Sequence, residues 1–254
     1  MYLGGYAVDN IGFYKLKKKY KCVLIEDACH ALGSKYKHNN KNYHVGSCKH
    51  SDLCVFSFHP VKPITTGEGG AITTNNKSFA KKISLLRSHG ILRNKDYWDY
   101  DIKELGFNYR LSDLNCSLGL SQLNKLDKFN LKRKEIFMMY KIKFSKMDNF
   151  IKVLEPSNNI NSYHLILLSI NFSKLKSSKN KIFNYLNKKN IFPQFHYKPI
   201  FNFSFYKKKN NNSFTGSLSY FKKTISLPVY FDLNKKNQNL VIDSIVNFIK
   251  KNKK

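Results

Sequence analysis

Along the first half of the chain, segments with the apolar spacing of a helix alternate with short apolar runs typical of strands. The helical spacing predicts amphipathic helices over residues 11–20 and 79–88, and the apolar runs predict buried strands over residues 22–26 and 52–58. Strands and helices that follow one another in this way form a sheet covered by helices. The first half is therefore predicted to be the sheet-containing part of an α/β protein.

A longer helical pattern begins at residue 111. Leu114, Leu118 and Leu123 recur at helical spacing, and Ser112 is a possible N-cap. We expect one long helix that runs toward Met139 or beyond and links two domains.

Shorter elements follow this helix and indicate a smaller α+β domain. They are strands over residues 151–155, 163–171 and 192–196, and helices near residues 179–189 and 240–250. The polar, turn-rich segment 207–217 is predicted to be a mobile loop. The expected organisation is a large domain over residues 1–128, a connecting helix over 129–148 and a small domain over 149–254.

The composition restricts the class of protein. The chain has 254 residues, of which 42% are apolar and 15% aromatic, and this suits a folded globular protein. No apolar stretch reaches membrane-spanning length, and the first residues have no basic or apolar signal segment. Five cysteines without a CxxC pair suit reduced thiols. We expect a cytoplasmic protein with no membrane partner.

The formal net charge of +29 is spread along the whole chain. A nucleic-acid-binding protein usually concentrates positive charge on one face or tail, next to a recognisable motif. We therefore interpret the lysines as a solvated basic surface and expect no nucleic-acid partner. Such a surface still attracts small anionic substrates.

The segment IEDACHALG places Asp27 at the end of an apolar strand and His30 three residues later. Carboxylates at the carboxyl ends of strands in α/β sheets face the crevice that binds ligands, so Asp27 is suited to hold a protonated ring nitrogen. A second interpretation is that Asp27 only caps the following turn. The spacing alone does not separate the two.

The segment SFHPVK places Ser57 five residues before Lys62, which lies between two prolines. A hydroxyl beside free backbone N–H groups suits a phosphate, and a partly desolvated lysine has a lowered pKa and can form a Schiff base with an aldehyde. Taken alone, however, Lys62 is more typical of an exposed turn. Asn108 and Arg110 in GFNYRLSD precede the predicted long helix and are, taken singly, typical loop residues.

A possible zinc cluster is the main competing chemistry. His44, Cys48, His50 and Cys54 lie within a short span and offer soft ligands. Their spacing matches no established zinc pattern, and it overlaps an alternating strand in which cysteine is a common small buried residue. We expect no metal site here.

Together, the three motifs closely resemble the DegT-related sugar-nucleotide aminotransferases that use pyridoxal 5'-phosphate (PLP), within the aspartate-aminotransferase superfamily. The motifs that carry the resemblance are EDACHALG, SFHPVKPITTGEGG and GFNYRLSD, and it continues in FPQFHYKPIF and ISLPVYFDL. Within the family, the sequence most resembles the pseudaminic-acid branch. The resemblance implies the type I PLP-transferase fold, with a large domain built on a mostly parallel sheet and a small C-terminal α+β domain. The family begins with a further stretch that has no counterpart here, so we expect an N-terminally truncated large domain.

The resemblance also implies a role for each motif residue. Lys62 is the lysine that binds the cofactor's aldehyde and moves protons, Asp27 contacts the ring nitrogen, and His30 lies near the phenolic oxygen or packs behind it. Ser57 binds the phosphate, and Asn108 reaches the phosphate in a neighbouring subunit, which implies a homodimer with a shared site. Relatives that dehydrate sugars carry histidine in place of this lysine, so Lys62 indicates amino transfer.

The same resemblance implies glutamate as amino donor and a UDP-linked 4-keto-6-deoxy-N-acetyl-hexose as acceptor. Gln194, His196 and Tyr197 match a family stretch near the nucleotide sugar, and a half-buried strand is an equally good interpretation of His196 and Tyr197. Sister enzymes that make other 4-amino or 3-amino sugars share most of these motifs. The missing stretch leaves a second hypothesis, a non-catalytic fragment that needs a partner chain.

Overall fold

The computed structural model describes residues 1–96, 98–155, 160–206 and 214–254, which form two compact units. The first unit contains Met1–Asn130 and residues 160–162, and the second contains residues 131–155 and the described residues from 163 onward. The expected three-part division, with boundaries after residues 128 and 148, stays a prediction. Among the described residues, no helix is both long enough and apolar enough to cross a membrane.

The first unit alternates short strands with helices, as the sequence pattern predicts, but the buried strand predicted over residues 22–26 begins only at Ile25, which is 57% exposed. Its elements are α1 (Asn10–Tyr20), β1 (Ile25–Asp27), β2 (Lys35–His38), β3 (Lys41–His44), β4 (Leu53–Ser57), β5 (Gly70–Thr73), α2 (Lys77–Arg87), β6 (Ile91–Arg93), β7 (Tyr100–Ile102) and α3 (Asp113–Leu123). The hairpin β2–β3 was not predicted because polar residues dominate its strands, and the hairpin β6–β7 was not predicted because its strands have only three residues each, too few to show a period.

The sheet of the first unit has the order β1-β4-β5. β1 pairs in parallel with β4, and β4 pairs antiparallel with β5. One face of this sheet packs on a core that includes Ala28, Cys54 and Phe56. Because β1 and β4 are parallel neighbours, Asp27 and Ser57 lie at adjacent carboxyl ends of the sheet, where α/β proteins bind ligands.

The predicted single long helix is wrong, because two helices replace it. α3 ends at Leu123, and α4 runs over Leu126–Ser145 from the first unit into the second. Between them, the backbone N–H of Lys125 donates to the carbonyl of Gln122 only three residues back, at 3.0 Å, so the regular α-helical hydrogen bonding is interrupted. The N-cap prediction is confirmed, since Ser112 Oγ accepts from the Asn115 N–H at 3.3 Å.

The second unit is an antiparallel sheet with helices. Its elements are α4, β8 (Ile151–Val153), β9 (Ile166–Ile170), α5 (Lys179–Asn187), α6 (Thr215–Lys223), β10 (Thr224–Leu227) and α7 (Lys235–Lys251), with sheet order β10-β9-β8. Helices α4 and α7 are joined by a hydrogen bond of 2.8 Å from Gln238 Nε2 to the Ile136 carbonyl. This unit agrees with the predicted α+β domain.

Two predictions in the second unit fail. The strand predicted over residues 192–196 is only an isolated bridge between Gln194 and Ser226, because Pro193 has no N–H to donate to a ladder. The loop predicted over residues 207–217 is wrong at its end, since α6 begins at Thr215. Residues 207–213 lie outside the described part of the chain.

Candidate active site

Lys62 lies in a closed loop over residues 58–69 that connects β4 to β5. Phe58 closes this loop, because its N–H donates to the Gly69 carbonyl at 2.8 Å and its own carbonyl accepts from the Thr66 N–H at 3.0 Å. The same carbonyl accepts from Thr65 Oγ1 at 2.9 Å. These bonds fix both ends of the segment that carries the lysine.

The Lys62 side chain is half-buried rather than fully exposed. Its neighbours along the loop, Pro63 and Ile64, are buried, and the Lys62 N–H donates to the His59 carbonyl at 2.9 Å. Burial lowers the pKa of Lys62, and the nearby Cys29 and Asp27 oppose this effect. The structure thus favours a partly desolvated amine over the interpretation of Lys62 as an ordinary exposed turn lysine.

Asp27 ends β1 on the same side of the sheet. Its Oδ1 accepts from the Cys29 N–H at 3.1 Å, which confirms the interpretation that Asp27 caps the following turn. Burial and the adjacent Asp27 carboxylate raise the pKa of Cys29 to about 11. Asp27 therefore lies within electrostatic reach of both the Cys29 thiol and the Lys62 amine, and capping the turn is compatible with a second role for its carboxylate.

Ser57 and His30 occupy the predicted segments but differ in their surroundings. Ser57 is the last residue of β4, and its Oγ accepts from the His59 N–H at 3.4 Å. His30 is 2% exposed, and its Nδ1 accepts from the Gly4 N–H at 3.2 Å. Ser57 lies directly before the Lys62 loop, a position that suits ligand binding. The buried His30 ring stabilises the N-terminal segment through its hydrogen bond with Gly4.

Asn108 and Arg110 lie on an exposed strip beside the end of α2. Asn108 forms a bridge with Ser88, and its Oδ1 accepts from the Arg110 N–H at 3.4 Å. Leu105 and Leu114, on either side of this strip along the chain, are 82% and 83% exposed. The structure therefore leaves Asn108 accessible within the described chain.

Gln194, His196 and Tyr197 belong to the second unit. His196 Nδ1 and Ser226 Oγ are 2.7 Å apart, and Tyr220 Oη donates to the His196 carbonyl at 2.9 Å. The side chains of Gln194 and Tyr197 are exposed, and His196 is half-buried. The strand interpretation of His196 and Tyr197 fails, and their proposed contact with a nucleotide sugar stays a prediction.

The residues of the zinc alternative have other contacts. His50 Nδ1 and Tyr36 Oη are 2.8 Å apart, and Cys48 Sγ donates to the Thr73 carbonyl at 3.2 Å. In the described ranges, no three or more His, Cys, Asp or Glu side chains are grouped so that they could hold a metal ion.

A cavity of about 780 Å³ lies in the second unit and contains none of the candidate residues. Three lysines line it, and one of them, Lys179, donates to the Phe221 carbonyl at 2.5 Å and lies 4.4 Å from the centre of the Phe221 ring. Burial lowers the pKa of Lys179. Because this amine is bound to the last turn of α6, it acts as a helix cap, and the cavity is a weaker candidate site than the Lys62 loop.

Two residues near Lys62 were not among the candidates identified from the sequence. Cys29 contacts Asp27, and the Asn115 side chain donates to the Thr66 carbonyl in the Lys62 loop. Cys29 lies inside the quoted EDACHALG motif, so its proximity to Asp27 could have been anticipated. The Asn115 contact joins residues 49 positions apart, and no local pattern predicts it.

Comparison with known proteins gives a consistent result. The sequence model of the DegT/DnrJ/EryC1/StrS aminotransferase family matches residues 3–246. The UDP-4-amino-4,6-dideoxy-N-acetyl-beta-L-altrosamine transaminase of Campylobacter jejuni strain 81-176 is 43% identical over 252 residues, which are 99% of this chain and 65% of that protein. The chain thus spans slightly less than two thirds of the length of this relative.

Solved structures show the same fold. Helicobacter pylori PseC, described as an aminotransferase involved in the biosynthesis of pseudoaminic acid, matches with a TM-score of 0.89 and 33% identity, over 98% of this chain and 66% of that one. A putative sugar aminotransferase from Streptococcus pneumoniae in its PLP form matches with a TM-score of 0.86 and 25% identity, over 98% and 67%. The expected type I PLP-transferase fold is confirmed.

Proposed function

The chain belongs to the DegT/DnrJ/EryC1/StrS aminotransferase family, and we propose that it takes part in PLP-dependent transfer of an amino group to a nucleotide-linked keto sugar. One observation carries this proposal. Lys62 is a half-buried amine, held in a closed loop within electrostatic reach of the strand-end carboxylate Asp27. A lysine with a lowered pKa is the group that an aldehyde cofactor requires.

The described residues fit PLP. Lys62 would bond to its aldehyde carbon, Asp27 would accept a hydrogen bond from its ring nitrogen, and Ser57 would donate to its phosphate. His30 would lie close to the ring, and Asn108 would reach the phosphate bound by a second copy in a homodimer. When bound, PLP supplies an electron-withdrawing ring that stabilises negative charge at the Cα of the amino donor.

The protein's own part in the reaction is proton transfer and positioning. Once the amino group of the donor has displaced Lys62 from the aldehyde carbon, the released Lys62 amine would remove the proton from the donor Cα, and its lowered pKa increases the neutral fraction that can do so near pH 7. The same nitrogen returns a proton to the acceptor sugar carbon in the second half of the reaction. Asp27 keeps the ring nitrogen protonated throughout, through a charge-assisted hydrogen bond.

The proposed substrates are glutamate and a UDP-linked 4-keto-6-deoxy-N-acetyl-hexose, in pseudaminic-acid biosynthesis. The names of the Campylobacter and Helicobacter relatives support the nucleotide sugar and the pathway in this proposal. Gln194, His196 and Tyr197 would contact the nucleotide sugar, and the net charge of +29 would attract its diphosphate. We place the protein in the cytoplasm, in keeping with five free cysteines among the described residues.

Two alternatives remain within the proposal. The first is another nucleotide sugar, used by a sister enzyme of the same family. The second is a chain that is non-catalytic alone and needs a partner chain. The large exposed apolar side chains of the first unit, such as Leu105 at 82% and Leu114 at 83%, favour an association of this kind.

The test is a substrate comparison on the purified protein with PLP. UDP-linked and dTDP-linked 4-keto and 3-keto sugars are offered with glutamate, and release of 2-oxoglutarate is measured. Preference for the UDP-linked 4-keto sugar is expected, whereas preference for a dTDP-linked 3-keto sugar would assign the protein to a sister group. If the chain alone is inactive, it is mixed with the part of the Campylobacter relative that it does not match, and activity only in the mixture would support the partner-chain alternative.

A further inference from the structure

The residues of helix α3 that face the Lys62 loop are polar or small rather than apolar. Asn115 and Gly119 are four residues apart, so they share one face of α3, and both are half-buried. Leu114 and Leu118, the apolar positions from which the helix was predicted, are 83% and 40% exposed. The face of α3 that meets the loop was therefore not selected for apolar burial.

Asn115 uses both halves of its side-chain amide. Its Nδ2 donates to the Thr66 carbonyl, and its Oδ1 accepts from Ser112 Oγ, the N-cap hydroxyl of α3. In a capping box, the side chain at this position returns to the backbone of the N-cap residue. Here the amide instead joins the cap of α3 to the loop.

The loop and the helix are close enough that small residues are required at the contact. A Cβ atom at Gly119 would lie 2.8 Å from Thr66 Cγ2, and a Cβ atom at Gly69 would lie 2.9 Å from Leu111 Cδ1. Thr66 itself is 2% exposed, and its N–H closes the loop on the Phe58 carbonyl. A group that binds Thr66 therefore acts on the segment that carries Lys62, four residues earlier in the chain.

We propose that Asn115 is a positioning residue for Lys62, which holds the loop over residues 58–69 against α3 and keeps the lysine amine in its half-buried place. The amide is suited to this task because it offers a donor to the Thr66 carbonyl and an acceptor to the Ser112 hydroxyl. Leucine has the same number and branching of side-chain heavy atoms but neither polar group, so it would leave the buried carbonyl without its partner. The catalytic part of this inference rests on the proposed function, whereas its structural part does not.

The first test measures Lys62 directly in the protein without PLP. The pH dependence of Lys62 acetylation by acetic anhydride is followed by mass spectrometry in the wild type, in Asn115→Leu and in the matched control Asn124→Leu, which makes the same change at an exposed end of α3. Release of the loop would expose the amine to solvent, so Asn115→Leu should move the midpoint to higher pH, toward the ordinary lysine value. Asn124→Leu should match the wild type.

Two further variants separate the amide from packing and from folding. Asn115→Gln keeps the amide and should restore most of the wild-type midpoint, and a failure to do so would refute the role of the hydrogen bond. Leucine is a better helix former than asparagine, so unwinding of α3 is not expected. If circular dichroism nevertheless shows that Asn115→Leu is unfolded, Asn115→Ala and Asn124→Ala are compared in its place. Identical midpoints in a folded Asn115 variant and its control would overturn the proposal.

The second test uses the enzyme with PLP. A misplaced lysine should lower kcat about tenfold or more while the KM for the amino donor stays within about twofold, because positioning acts on the reacting group. Equal kcat in Asn115→Leu and Asn124→Leu would contradict the positioning role. If the wild-type protein carries no cofactor on Lys62, either alone or mixed with the unmatched part of the Campylobacter relative, the proposed function fails, and the acetylation midpoints still decide whether Asn115 places the lysine.

Discussion

The sheets of the two units are covered to different extents. In the second unit, β9 and β10 are buried on both faces, and Ile166, Ile170 and Ile225 have 0% exposure. In the first unit, buried positions alternate with half-buried or exposed ones along β1 and β4, and Ile25 on β1 is 57% exposed. The candidate chemistry thus belongs to the unit with less apolar burial, and hydrogen bonds such as those of Phe58 and Asn115 fix its loop.

Removal of the lysine should give the largest functional effect and no structural one. Lys62→Ala removes the proposed proton carrier, and we expect turnover to fall by about 10²–10⁴-fold or more. Hydrogen exchange of the β9 amides should be unchanged, because Lys62 does not contribute to the second unit. Lys81→Ala, an exposed lysine on α2, is the control. Comparable turnover in the two variants would exclude Lys62 from the chemistry.

The same substitution on the two sheets should separate their stabilities. Ile170→Ala creates a cavity in the second unit and should cost about 2–5 kcal/mol of local unfolding free energy. Ile25→Ala removes an exposed side chain and should cost about 1 kcal/mol or less. Hydrogen exchange of β9 and β1 amides in each variant measures these costs. Equal costs would show that β1 is covered as fully as β9.

A smaller effect concerns charge at the site. The Asp27 carboxylate favours the ammonium form of Lys62, so Asp27→Asn should lower the Lys62 pKa further and move the acetylation midpoint to lower pH. Asp9→Asn makes the same change at the N-cap of α1, where asparagine also caps, and should leave the Lys62 midpoint in place. A midpoint that rises or stays constant in Asp27→Asn would contradict the electrostatic contact.

The sequence predicted the parts of the fold that depend on neighbouring residues. Apolar periodicity identified α1, α2, β4 and β9, and Ser112 marked the start of α3. The break between α3 and α4 was missed, because the leucines continue at helical spacing across it. The hairpin β2–β3 was missed because its stability comes from pairing across strands rather than from its own apolar pattern.

The candidate site shows the same limit. Asp27, Ser57 and Lys62 follow strands, so the order of elements was enough to place them near one edge of the sheet. Their assignment to PLP came from the family resemblance, since taken alone Lys62 was more typical of an exposed turn. The Asn115 contact with Thr66 depends on the approach of α3 to the loop, which only the three-dimensional structure reveals.

The central claim is that the Lys62 nitrogen carries the cofactor. The protein is incubated with PLP, alone and together with the unmatched part of the Campylobacter relative, then reduced with borohydride and digested, and the modified peptides are sequenced by mass spectrometry. The account predicts a pyridoxyl label on Lys62 in at least one of the two preparations, absent from Lys62→Ala. A specific label on another lysine, or no label in either preparation, would contradict it.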